Sequence, residues 1–227
     1  MKGLYEIMID IAICKELKEA CPKVTLGCIE ATVNTENSTN DLLEEINNYC
    51  DILKNEINIE ELSSIPRIKD GREAYKSLGK SPSKYRLSSE ALVRRVLQGK
   101  GLYKINNIVD INNLISIKSK FPIGSYSIDN LSSPVLLTVG AEGAQYKGIG
   151  KDLINVSNLP ILTDSIGYFG SPTSDSERAL ITNDAKKILM CIYSFSGKDD
   201  LEIILEYGAE LLKKYACGTN IETQIID

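Results

Sequence analysis

Apolar residues recur along the chain at helical spacing in some segments and gather in short runs in others. In residues 41–49, Leu42, Leu43, Ile46 and Tyr49 fall at helical spacing, while Asp41, Glu44 and Glu45 supply the acid that a helix N-terminus favours. A second helix opens at Pro66, after Ser64, and runs through Ala74, Tyr75 and Leu78 to Gly79. Ser88 reads as the N-cap of a third helix over 89–98, closed by Gly99 and Gly101. Helical patterns also cover 108–118 and 200–215; the latter carries Leu201, Ile204, Leu205, Leu211 and Leu212 on one face and stops at Gly218. Elsewhere that period is lost. Short apolar or β-branched runs at 124–128, 135–139, 159–163 and 188–195 are separated by Gly, Asn, Ser or Pro. The first sixty residues alternate a strand, a short helix ending before Pro22, a strand over 24–33 and a polar turn at 34–40. The pattern predicts an α+β fold, a mixed and mainly antiparallel sheet with covering helices.

Composition adds that 227 residues with 43% hydrophobic side chains suffice for one well-buried core over 1–227. No apolar run approaches the roughly 18 residues of a membrane span, and residues 1–6 lack the apolar stretch of a signal peptide, so a soluble cytoplasmic protein is expected. The chain has no histidine, and its six cysteines include no C-x-x-C pair, so neither a metal site nor a cofactor is expected. Cys14, Cys21 and Cys28 recur every seven residues and read as small packed thiols. Without histidine, Ser-His-Asp and Cys-His schemes are excluded, and catalysis has to use carboxylates, hydroxyls, water or the substrate itself.

The net charge of −5 conceals a local reversal. Residues 67–104 hold eleven basic residues against three acids, a local excess of eight positive charges. Lys80, Lys84, Arg86, Arg94 and Arg95, interleaved with Tyr75, Tyr85 and Tyr103, would neutralise phosphates and stack on unpaired bases. The competing expectation is a solvated face whose cations pair with acids elsewhere. Ala74-Tyr75-Lys76-Ser77-Leu78-Gly79-Lys80-Ser81 fits the loose A-x-x-x-x-G-K-S form of a phosphate loop. That loop needs a preceding strand and a helix opening at Lys-Ser; here a helix precedes it and Pro82 disfavours helix at Ser81.

Several separated segments occur in an order that resembles the freestanding editing domains of the phenylalanyl-tRNA synthetase beta subunit family, the B-three/B-four domain. They are residues 74–79, 89–96, 108–114, 121–129 and 164–175, so the resemblance spans about 67–218. It divides the chain into an N-terminal elaboration, 1–65, and a core, 66–218. In the synthetase this domain hydrolyses tyrosine mistakenly joined to phenylalanine tRNA. The chain is too short for a synthetase core, so the resemblance implies an aminoacyl-tRNA deacylase acting in trans, with a tRNA 3′ end as partner. The alternative is a module that binds RNA or an amino acid without chemistry.

The same resemblance implies roles for particular residues. Val109-Asp110-Ile111-Asn112-Asn113 matches V-D-x-x-N and places Asn113 in the pocket, while Gly124 of Pro122-Ile123-Gly124 stands where the synthetase has histidine. Residues 166–170 match the glycine-rich loop, and Asp175 and Glu177 fall near the acid that reads the side chain. Asn113 and Asp164 are the candidate catalytic residues; Gly124, Glu142, Gly167, Gly170, Asp175 and Glu177 are the candidates for substrate binding. Gly140, Gly143, Gly167 and Gly170 would offer N–H groups to an ester carbonyl. A carboxylate facing the pocket would favour a cationic or polar side chain, unless these acids pair instead with Arg178, Lys147 or Lys151.

Overall fold

A computed structural model describes residues 8–227. Residues 1–7, to which the signal-peptide argument refers, lie outside the described part. In chain order the elements are β1 (Ile11–Ile13), α1 (Lys15–Ala20), β2 (Thr25–Thr32), α2 (Asn40–Glu56), α3 (Pro66–Ser77), α4 (Ser88–Leu97), α5 (Asn107–Ser119), β3 (Ile123–Ser127) and β4 (Val135–Val139). They continue with β5 (Gln145–Lys147), β6 (Leu153–Asn155), β7 (Pro160–Thr163), β8 (Tyr168–Gly170), β9 (Lys187–Ser194), α6 (Leu201–Ala216) and β10 (Thr219–Ile226).

The centre is an antiparallel sheet in the order β10-β2-β9-β3. Strand alternation divides its side chains between two cores. Ile29, Ala31, Ile188, Met190, Ile192 and Ile123 join the helices α2, α4, α5 and α6 on one face. Leu26, Cys28, Leu189, Cys191, Tyr193 and Tyr126 face a second sheet on the other. A strand buried on both faces has no polar alternate positions, which is why 188–195 reads as a continuous apolar run. The second sheet runs β1-β4-β7-β8; among the described residues only β1 and β4 pair in parallel. The architecture is thus α+β with mainly antiparallel sheets, as the patterning indicates.

Local chemistry fixes the ends. Thr39 caps α2 by accepting from the Leu42 N–H, and Asn106 caps α5 by accepting from the Val109 N–H at 2.9 Å. Ser88 is not a cap: α4 begins at Ser88 itself, whose N–H donates to the Pro172 carbonyl at 2.7 Å. The end of α6 also differs, because Cys217 takes the left-handed position and Gly218 closes on the Leu212 carbonyl at 2.9 Å. A Cβ at Gly218 would lie 2.9 Å from the Leu212 carbonyl carbon, so close approach calls for the glycine there. The A-x-x-x-x-G-K-S segment is the last turn of α3, a left-handed Gly79 and a loop, with no helix opening at Lys80. Finally, the described residues before α3 take part in both cores. They supply β2, hydrogen-bonded on both edges, because its apolar residues complete both cores.

Candidate functional site

A cavity of about 480 Å³ opens where β3, an outer strand of the central sheet, meets residues 171–175 after β8, beneath α4 and the first turns of α5. The Pro122 carbonyl accepts from the Tyr193 N–H. In an antiparallel ladder the bonded pairs recur every second residue, so Gly124 and Tyr126 also bond towards β9, and the N–H and C=O groups of Ile123 and Ser125 turn outward to the cavity. From α5, Asn112 and Asn113 reach the same wall, each less than a tenth exposed. Ser125 Oγ donates to Asn112 Oδ1 at 2.9 Å, and Asn112 Nδ2 donates to Asn113 Oδ1 at 3.4 Å. The Asn113 Nδ2 donor is left without a partner among the described residues.

Asp175 forms the acidic wall. Its Oδ1 accepts from the Tyr126 hydroxyl at 2.8 Å and from the Ser171 N–H at 3.4 Å. Tyr126 and Tyr193 place their hydroxyl oxygens 2.8 Å apart. A phenol has one hydrogen, so Tyr193 donates to Tyr126 and Tyr126 to Asp175. Burial drives both phenols well above the ordinary tyrosine range, which keeps them protonated donors. Burial also pushes the Asp175 carboxyl up to about 7, against the lowering effects of Tyr126, the Ser171 amide and Lys151. Gly124 and Gly170 make room for the phenol: a Cβ at either would lie 2.0 or 2.2 Å from the Tyr126 hydroxyl oxygen.

The cations of the lining are organised by one carboxylate. Glu90 on α4 is fully buried and receives Arg72 Nη1 on both oxygens, at 3.1 and 3.0 Å. Arg86, just before α4, and Arg94, one helical turn after Glu90, lie at 3.4 and 3.5 Å. Three guanidiniums on one carboxylate leave a surplus of two positive charges, and the Nε atoms of Arg86 and Arg94 remain buried without a hydrogen-bond partner. Arg95 stacks on the exposed Tyr103 ring with its guanidinium carbon 3.9 Å from the centroid.

Of the candidates from the sequence, Asn113, Asp175, Arg86, Arg94 and Arg95 meet at this cavity. The others do not line it. Asp164 accepts a bidentate Arg178 at 3.0 and 3.1 Å and the N–H groups of Ser132, Ile166 and Gly167, so it organises a turn. Burial alone would raise its carboxyl, but Arg178 and these amides outweigh that and hold it below the usual range. The Gly167 N–H is thereby consumed. Glu177 pairs with Lys147 at 2.7 Å, and Glu142 sits exposed in the turn before Gly143. Gly124 and Gly170 serve the site indirectly, by the space they leave for Tyr126. Lys80 and Lys84 lie over the Tyr85 ring at 4.3 and 5.5 Å, outside the cavity lining. Sequence reasoning missed Glu90, Asn112, Ser125 and Tyr126. The Arg86-Glu90-Arg94 spacing of four was a readable signal for Glu90, and Gly124 two residues before Tyr126, on one face of a strand, was a fainter one for the phenol.

A family model of the B3/4 domain matches residues 70–210. The chain belongs to the B3/4 domain family. No curated protein matches this B3/4 domain. Among solved structures it is similar to an N-terminal fragment of the phenylalanyl-tRNA synthetase beta subunit from Pyrococcus horikoshii, with a TM-score of 0.48 and 12% identity. The match covers 97% of this chain and 51% of that one, so this B3/4 domain spans about half of that fragment. Among the described residues, no helix is long and apolar enough to cross a membrane, and no group of three or more His, Cys, Asp or Glu is placed to hold a metal ion.

Proposed function

We propose that this B3/4 domain is an aminoacyl-tRNA deacylase acting in trans, which hydrolyses the ester joining a wrongly attached amino acid to its tRNA in the cytoplasm. The observation that carries the reading is the polarity of the cavity. Asp175, Asn112 and Asn113 line it together with the half-buried cations Arg86, Arg94 and Arg95. An aminoacylated RNA end has the complementary groups, phosphates and, at its tip, an acyl ester bearing an ammonium group.

The chemistry needs few groups. A water oxygen attacks the ester carbonyl carbon while ionised Asp175 takes one of its protons. Asn113 Nδ2 and the outward N–H of Ser125 donate to the oxygen that becomes negative. The bond from carbon to the ribose oxygen then breaks, and Asp175 returns the proton to that oxygen. Amino acid and free tRNA leave, and Asp175 is again a carboxylate. Since Asp164 and Glu177 are bound to Arg178 and Lys147, a preference for cationic side chains would rest on Asp175 alone.

The deciding experiment is a panel of mischarged tRNAs, including tyrosyl and lysyl esters, incubated with substoichiometric protein. Multiple turnovers on at least one ester, abolished by Asp175→Asn, are expected. If the protein retains tRNA and every ester survives, it is a binding module.

A further inference from the structure

Tyr126 has no direct access to the cavity, yet its surroundings are arranged around its hydroxyl. Two backbone positions, on β3 and at the end of β8, carry glycine where any Cβ would strike the phenol. The Phe169 ring meets the Tyr126 ring edge-on with centroids 5.0 Å apart, and Tyr193 donates to its oxygen. The single hydrogen that remains is aimed at Asp175 Oδ1, which also takes the Ser171 N–H. Oδ2 receives no donor among the described residues. With both donors committed to Oδ1, a proton acquired by Asp175 sits on Oδ2.

We propose that Tyr126 is a positioning residue: it commits Asp175 Oδ1 to the protein and leaves Oδ2 as the oxygen that gains and loses a proton at the pocket. The role of that proton in ester cleavage rests on the function proposed above; the proton's behaviour does not. The other groups that act on this carboxyl are Tyr193 and Cys191 on β9, Tyr146 on β5 and Lys151 in the β5–β6 turn. Burial keeps Tyr146, Tyr193 and Cys191 in their neutral forms around neutrality, so Tyr126 and the Ser171 amide are the direct donors whose loss changes the titration.

The test uses the whole chain with its aspartate carboxyl carbons labelled with ¹³C, titrated by NMR without substrate. The Asp175 signal, identified by its absence in Asp175→Asn, titrates near 7 in the native protein. Tyr126→Phe deletes a donor to the carboxylate, so the midpoint should move upward, corresponding to about a tenfold weaker acid. Gly170→Ala, which forces the phenol away, should move it in the same direction. An unchanged midpoint in folded Tyr126→Phe overturns the proposal. Should that variant not fold, the ¹³Cζ signal of Tyr126 in the otherwise native protein is read instead: it should follow the Asp175 midpoint and lose that step in Asp175→Asn, and a flat signal overturns the proposal. If the carboxyl shifts but no ester is cleaved by any variant, only the proposed function fails. If the native chain cleaves esters and its pH–rate profile is unmoved by Tyr126→Phe, the positioning role fails.

Discussion

Burial costs the Asp175 carboxyl more than its donors return, and this has a sign that can be measured. Its acidity is weakened from the ordinary range to about 7, so the folded protein holds a proton that the unfolded chain releases near 4. Stability is therefore unaffected below the unfolded value, falls as pH rises between the two values, and carries the full cost above 7. Asp175→Asn is expected to raise Tm relative to the native chain at pH 8 and to leave it nearly unchanged at pH 4, with the pH 8 difference on the order of 2–4 kcal/mol. Thermal unfolding at the two pH values checks this, and equal Tm differences would count against it. Asn113→Ala should lower the deacylation rate by about 10²-fold, the size of one lost oxyanion donor, with little change in tRNA affinity. Parallel kinetics and filter binding separate the two effects. At this scale the sequence was informative about Asn113 and Asp175, whose family pattern and glycine-rich context were visible. For Asp164 it left two roles open, a pocket acid or a partner of Arg178, and only the fold decides between them, because Arg178, fourteen residues on, fills both of its oxygens.

The helix α4 shows how one element organises the cations of the site. Glu90 lies in its first turn, with Arg86 on the segment that leads into it and Arg94 one turn on, and Arg72 reaches over from α3. Removing this buried acid strands three guanidiniums, so Glu90→Gln is expected to cost about 3 kcal/mol or more, readable as a lowered denaturant midpoint. A cost below about 1 kcal/mol would mean that the arginines are held by something else. Helices such as α2 and α6 were legible because their one-sided burial requires a 3.6-residue period over three turns or more. The strands β5, β6, β8 and β10 were not. They are short, or, like β10, exposed along most of their length, and an edge strand with both faces wet carries no apolar alternation to read.

Across the whole molecule, a chain of net charge −5 would hold RNA only through a local surface, and the cations divide into two groups. Arg86, Arg94 and Arg95 face the cavity, whereas Lys80 and Lys84 rest on Tyr85. Arg94→Glu with Arg95→Glu is expected to weaken tRNA binding at least tenfold and flatten its salt dependence, while Lys80→Ala with Lys84→Ala should change it less than threefold. Affinities at two salt concentrations decide between a focused and a diffuse RNA surface. The central sheet has a further consequence, for synthesis. Among the described residues, strand β2, apolar on both faces, is paired only by β9 and β10, and roughly 150 residues separate it from β9. At about 5–20 residues per second, the nascent chain carries that sticky segment unmatched for roughly 8–30 s. Folding during translation cannot proceed from the N-terminus inward, and a chaperone that shelters residues 25–32 on the ribosome would raise the yield of native protein.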